Sequence, residues 1–303
     1  MEGRRLMEFP WYLLVPLLAA GVYAVGSLFF KQAYAQGAGM MDAFFWMNFG
    51  SLLAFTPLLW WVKEWPPLAE CWKPAVTAGF IYSGTLTTFA AIRAGDVSLV
   101  TPLMGTKVVL TALLAVFLAG TRLPPGMWAA ALLTTVGVLV LGWRDLKKGQ
   151  GNAAAVGLCL LSSVIFAGAD VLLVHWGPGY GRPAFLGTTF GLIGLLSLAT
   201  VRWQVPTAFR VPGPARRHLG LGAALMNAQT VAMGLCIVGS NDPTGVNILY
   251  GTRGLWSIAL VWFVGRRWFG NGERDSAHGA MGLRLTGSLL ILGAVVVAVL
   301  VRR

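Results

Sequence analysis

The sequence predicts an all-α integral membrane protein, with about ten transmembrane helices forming two inverted five-helix repeats. Three observations carry this expectation. Of the 303 residues, 56% are hydrophobic and only 11% charged, whereas a soluble chain carries about 25% charged residues. The apolar residues fall into ten runs, each ended by charge, Pro or Gly. Finally, one long apolar stretch is written twice.

The first copy occupies residues 95–120, Gly95-Asp96-Val97 through Leu118-Ala119-Gly120. From Val97 to Leu118 it is long and apolar enough to cross a bilayer as a helix, which takes about 20 residues. Lys107 stands near its middle, roughly 15 Å from either end at 1.5 Å per residue. A charge at that depth costs at least about 2.5–3.5 kcal/mol, so it must face a partner, a watery cavity or a substrate. The second copy is residues 241–265. A constant offset pairs Asp96 with Asp242, Val100 with Val246, Leu103 with Leu249 and Gly105-Thr106 with Gly251-Thr252. Leu114 meets Leu260, Phe117 meets Phe263, and Lys107 falls on Arg253.

In chain order, the first five runs cover 11–32, 43–62, 74–93, 97–118 and 126–143. Arg4 and Arg5 precede the first, and Ala33-Tyr34-Ala35 resembles a signal-peptidase site. The run from Trp11 to Phe30 nevertheless exceeds the 7–15 residues of a signal h-region, so it reads as a retained span. A polar hinge follows at Arg144–Asn152. The second five runs cover 153–175, 184–202, 218–239, 244–265 and 281–301. The hinge divides the chain into repeats 1–148 and 149–303. Five spans per repeat make the second enter from the opposite side, a common transporter design with its site near the midplane.

Residues 95–143, and Gly21-Val22-Tyr23 through Lys31 in the first span, resemble the EamA-type repeat of the drug/metabolite transporter superfamily. Spans eight to ten form a second copy. Where family members often have Gly-Glu-Arg after span four, this chain has Gly120-Thr121-Arg122, so no role tied to that acidic residue transfers. The resemblance implies transport rather than catalysis, a cavity lined by spans three, four, eight and nine, cytoplasmic termini, and a multi-pass location in a cell membrane, as in a bacterial inner membrane. The positive-inside rule leans the other way on the termini. With both ends inside, Lys31, Arg93, Arg144, Lys147, Lys148 and most loop arginines of the second repeat would face out.

The net charge of +12 is spread over short loops, where Lys and Arg orient spans and meet anionic headgroups; it is no nucleic-acid footprint. Three cysteines without CxxC or Cys/His spacing indicate neither a disulfide framework nor a metal site. No catalytic signature or ATP-binding unit is present: Gly105-Thr106-Lys107 lacks the order and upstream glycine of a P-loop. No cofactor is expected, and energy for transport must come from a gradient.

Lys107 and Arg253 are the leading site candidates. They could line a central cavity and hold a carboxylate, sulfonate or phosphate, Arg bidentately; alternatively, a buried carboxylate and backbone carbonyls satisfy them. Related triose-phosphate translocators hold phosphate with basic residues, which supports the first reading by analogy. Asp170, the acidic residue inside a span, is either a proton-coupling carboxylate or their counter-ion. Tyr250, Arg253 and Ser257 share one helical stripe, and Thr111 lies one turn beyond Lys107. Tyr82 and Ser83 of span three, Asn227 and Gln229 of span eight, and Tyr23 of span one complete the candidate lining, although such residues often only bond a neighbouring helix. Trp256, one turn from Arg253, reads as deep, unlike Trp60, Trp61, Trp65, Trp72, Trp143, Trp176 and Trp203, which mark an aromatic belt at span ends. Asp96 and Asp242 read as helix caps.

The expected function is secondary active transport of a small, anionic organic metabolite by alternating access. Its expected partners are that substrate and the lipid bilayer, with a homodimer left open. The alternatives are export of neutral or zwitterionic amino acids or drugs, lipid-phosphate flipping, or a membrane-embedded enzyme or sensor.

Overall fold

The structure, a computed structural model, describes residues 13–94, 100, 103–143, 147, 153–204, 211–256, 259–260 and 281–301. Among them are ten α-helices and no strand. These are α1 Leu14–Ala35, α2 Met40–Phe55, α3 Trp72–Ala94, α4 Lys107–Ala119 and α5 Pro125–Leu141 in the first half. The second half contributes α6 Ala153–Tyr180, α7 Arg182–Gln204, α8 Gly213–Ser240, α9 Pro243–Tyr250 and α10 Met281–Val301. Each falls on one of the ten expected runs.

Local chemistry sets the turns between them. Gly37, at φ 92°, lets the chain reverse after α1, and the Gly39 N–H donates to Asp42 Oδ2 at 2.7 Å to open α2. Gly120 closes α4 in the left-handed conformation, φ 63°, where a Cβ would be strained. Asn241, φ 52°, closes α8 in the same way. Asp242 then caps α9, its Oδ1 accepting from the Gly245 N–H at 2.9 Å, with Pro243 in the first turn. This is the capping role expected for Asp242; Asp96 lies outside the described residues.

Six helical segments are long and apolar enough to span a bilayer, and Met104–Ala119, Pro125–Leu141 and Leu285–Val301 are shorter apolar helices. Large apolar side chains such as Leu18, Leu53 and Leu289 point outward and are about two-thirds exposed. Such a surface suits lipid. Trp60, Trp61, Trp65, Trp72 and Trp143 are exposed too, as a belt at helix ends requires.

The most extensive helix pairings are α1 with α8, α5 with α10, α3 with α6 and α2 with α7. Buried hydroxyls tie two of these pairs, Ser162 to the Gly84 carbonyl at 2.9 Å and Ser51 to the Phe190 carbonyl at 3.1 Å, and the Asn227 amide ties α8 to α2 through the Met47 carbonyl at 3.1 Å. Between α5 and α10, Gly137 and Gly287 face each other so closely that a Cβ on Gly287 would stand 2.7 Å from the Gly137 carbonyl oxygen. Without a hydrophobic force between helices in lipid, such close packing and hydrogen bonds hold the bundle.

Span four differs from expectation. It is not one uninterrupted α-helix with Lys107 at its centre. A 3-10 turn, Met104–Thr106, precedes Lys107, and α4 starts there. Its thirteen residues reach about 20 Å, short of the roughly 30 Å hydrocarbon core. The physical cause is local. Gly105 presses onto α5, and the Thr106 hydroxyl takes the Leu103 carbonyl at 2.7 Å, a side-chain bond that competes with regular helix.

Candidate functional site

Span nine breaks at the matching place. α9 ends at Tyr250 and Gly251-Thr252 form a turn, with helix resuming at Arg253. Thr252 Oγ1 donates to the Leu249 carbonyl at 2.7 Å, the counterpart of Thr106 on Leu103. Both glycines rest on α5: a Cβ on Gly105 would meet Val138 Cγ1 at 2.6 Å, and one on Gly251 would meet Thr134 Cγ2 at 2.6 Å. The sequence duplication is thus also a duplication of local geometry, and each break delivers one cation.

Lys107 Nζ lies 2.7 Å from Asp170 Oδ2, with side-chain exposures of 20% and 9%. The ammonium also sits 5.7 Å from the centre of the Phe166 ring, one turn before Asp170 on α6. Asn247 completes the cluster. Its Nδ2 donates to the same Asp170 Oδ2 at 2.7 Å and to the Pro243 carbonyl at 2.7 Å, and it is almost fully buried. One carboxylate oxygen therefore binds a residue of α4 and a residue of α9 to α6. A buried charge pair of this kind needs additional hydrogen bonds to be tolerated, and Asn247 supplies one.

Arg253 lies between two aromatic rings, its guanidinium carbon 5.3 Å from the Tyr23 centroid and 5.1 Å from that of Tyr250. The two rings meet edge-on at 6.0 Å. Flat, weakly hydrated guanidinium suits such faces better than an ammonium does. Asn247 and Tyr250 are three apart on α9, so they share a face. Lys107, Asp170 and Asn247 form one contact cluster and Arg253, Tyr250 and Tyr23 another, and the shared face of α9 lines the two up as one polar chain drawn from α4, α6, α9, the segment after α9 and α1.

The remaining candidates separate from this group by their contacts. Thr111 is fully buried and spends its hydroxyl on the Lys107 carbonyl at 2.9 Å. Tyr82 bonds Thr200 at 2.6 Å, and Ser83 bonds the Phe80 carbonyl at 3.1 Å. The first joins α3 to α7, and the second lies within α3. Asn227 bridges α8 to α2 through the Met47 carbonyl and also takes the Ala223 carbonyl at 2.9 Å. Gln229 Nε2 donates to Thr230 at 2.8 Å, while its Oε1 is buried without a hydrogen-bond partner. Trp256 packs against α1. It is 43% exposed and its indole covers Gly21 of α1, 3.5 Å from where a Cβ would stand. Ser257 lies outside the described residues. Asn247 escaped the sequence reading, although a lone amide in an apolar span is the kind of residue that marks a polar interior.

Ten apolar helices enclosing a polar chain, with two helices interrupted beside its two cations, define a multi-pass membrane protein. Residues 9–143 match the EamA-like transporter family. That family is one of membrane transporters. A solved structure titled only as the crystal structure of a protein is similar over 97% of this chain and 98% of its own, with a TM-score of 0.63 at 15% identity. At that identity the likeness shows the fold alone. No curated protein matches the chain.

Proposed function

We propose that the protein is a secondary active transporter that moves a small organic metabolite bearing an anionic group by alternating access, with Lys107 and Arg253 as the groups that receive it. The observation that carries this reading is the placement of both cations at equivalent helix breaks, one against Asp170 and the other between Tyr23 and Tyr250. Broken helices beside ionisable side chains are the usual construction of transporter sites. Asp170 is the coupling carboxylate in this scheme. It holds Lys107 when the site is empty and releases it when the substrate anion intervenes.

In this scheme two repeats, 1–148 and 149–303, are related by a two-fold axis in the membrane plane, a common basis for alternating access. The pairing pattern supports that relation. Exchanging each helix for the one five places away turns the α1–α8 pair into α6–α3 and leaves α2–α7, α4–α9 and α5–α10 unchanged. The weaker α2–α8 contact becomes α7–α3, which also exists.

A second reading, export of a neutral or zwitterionic compound, is favoured by the Lys107–Asp170 pair itself, because it cancels one of the two cations. Thermal unfolding of the purified protein against phosphates, sulfonates, carboxylates and neutral amino acids separates the two. A ligand at a hundred times its dissociation constant stabilises the native state by about 2.7 kcal/mol. Stabilisation by an anion that disappears in Arg253→Ala supports the anionic reading. Stabilisation by neutral compounds alone replaces it with the second.

A further inference from the structure

Lys107 and Asn247 present their donors to the same oxygen of Asp170, each at 2.7 Å, from opposite halves of the chain. If Lys107 is to leave Asp170 and meet a substrate anion, the carboxylate it abandons must remain charged in an apolar interior. Desolvation opposes that, and only a hydrogen bond to the charged form or another cation counters it. The surroundings of Asp170 narrow the choice. On its own helix, Phe166 is apolar. Toward α3, α6 presents Ser162 and Gly168, which meet Gly84 and Phe80. From α4 comes Lys107. From α9 come Asn247 and, one turn on, Tyr250, with Arg253 beyond it against Tyr23. Asn247 is the group in direct contact that does not depart with α4. Its second hydrogen is anchored on the Pro243 carbonyl, in the first turn of a helix capped by Asp242, so the amide is fixed in orientation before Asp170 arrives.

We propose that Asn247 is a positioning residue that keeps Asp170 ionised and in place when Lys107 swings away to bind substrate. This rests on the reading of Lys107 as an anion ligand. It makes the ion pair an exchangeable one: α4 can release α6 while α9 retains it.

The test needs no ligand, so it stands apart from the anion screen. Infrared difference spectra of the full-length protein in lipid nanodiscs at neutral pH, taken against Asp170→Asn, isolate the bands of the Asp170 carboxyl group. In Lys107→Ala the carboxylate band is expected to persist. In Lys107→Ala/Asn247→Leu it should be lost and replaced by the band of a protonated carboxyl, and Lys107→Ala/Asn247→Gln, which keeps the amide donor, should restore it. A purely structural Asn247 would lower stability without changing which band is present. Loss of the carboxylate band in Lys107→Ala alone, or its survival in the Leu double variant, overturns the proposal. Should the Lys107→Ala series fail to fold, the same comparison in Lys107→Gln decides it. An anion screen that finds no binder refutes the function of the site, whereas these spectra bear on Asn247 alone.

Discussion

Gly105 and Gly251 rest one turn apart on the same helix, the first over Val138 and the second over Thr134 of α5. Each is followed by a threonine that takes the carbonyl three residues back and then by a cation. The two interrupted helices, remote in sequence, thus lean on one shared surface, and the polar chain between them inherits its geometry from that contact.

That contact is sensitive to single methyl groups. Gly105→Ala would place its Cβ 2.6 and 2.8 Å from two Val138 atoms. The overpacking is expected to cost about 1–3 kcal/mol, read as a lower midpoint of thermal unfolding in detergent, with Val138→Ala returning part of it. Gly251→Ala meets Thr134 Cγ2 at 2.6 Å but also the Ile248 carbonyl at 2.9 Å, so Thr134→Ser should return less.

Removing Asp170 strands its two donors. Asp170→Ala leaves the half-buried Lys107 without its carboxylate, a loss of up to about 3–5 kcal/mol, the cost of breaking a buried pair from one side. The double variant Asp170→Ala/Lys107→Ala should be clearly more stable than the sum of the singles predicts. Additive losses in that double-mutant cycle would mean the two side chains do not interact.

The tyrosines around Arg253 should matter through their faces. Tyr23→Leu or Tyr250→Leu removes one ring from the guanidinium, at about 0.5–2 kcal/mol each, whereas Tyr23→Phe keeps the ring. Arg253→Lys should not substitute, because an ammonium lacks the planar fork. Anion-induced thermal stabilisation is the measurement; equal effects of Tyr23→Phe and Tyr23→Leu would rule out the ring as the operative feature.

Asp242 and Asn227 are predicted to act on stability alone. Asp242→Ala deletes a helix cap worth about 0.5–2 kcal/mol. Asn227→Leu cuts the bond from α8 to the Met47 carbonyl of α2, worth about 0.5–1.5 kcal/mol. Both should lower the unfolding midpoint and leave the affinity for any ligand of the parent unchanged. A selective loss of binding in Asn227→Leu would return that residue to the site.

The ten helices were legible because each spans an unbroken apolar run, and a lipid-facing helix declares itself by composition. The two cations were legible because a charge in such a run stands out, and the cap at Asp242 follows rules that operate over four residues. Asn247 was not, since its role depends on Asp170, 77 positions away. Asn227, Tyr82 and Thr111 carry the same polar groups as site residues, yet their hydrogen bonds go to neighbouring helices or to their own backbone.

The sequence by itself determined that this chain is a bundle of membrane helices, that one stretch is duplicated, and that a cation stands in each copy. Those properties reside in local composition and in a repeat visible along the chain. Tertiary structure alone decided which cation meets the carboxylate, which lies between tyrosines, and which polar side chains are structural ties. Pairing depends on how α4, α6 and α9 approach, and in a bilayer that approach is set by glycine contacts and buried hydrogen bonds between residues far apart in sequence.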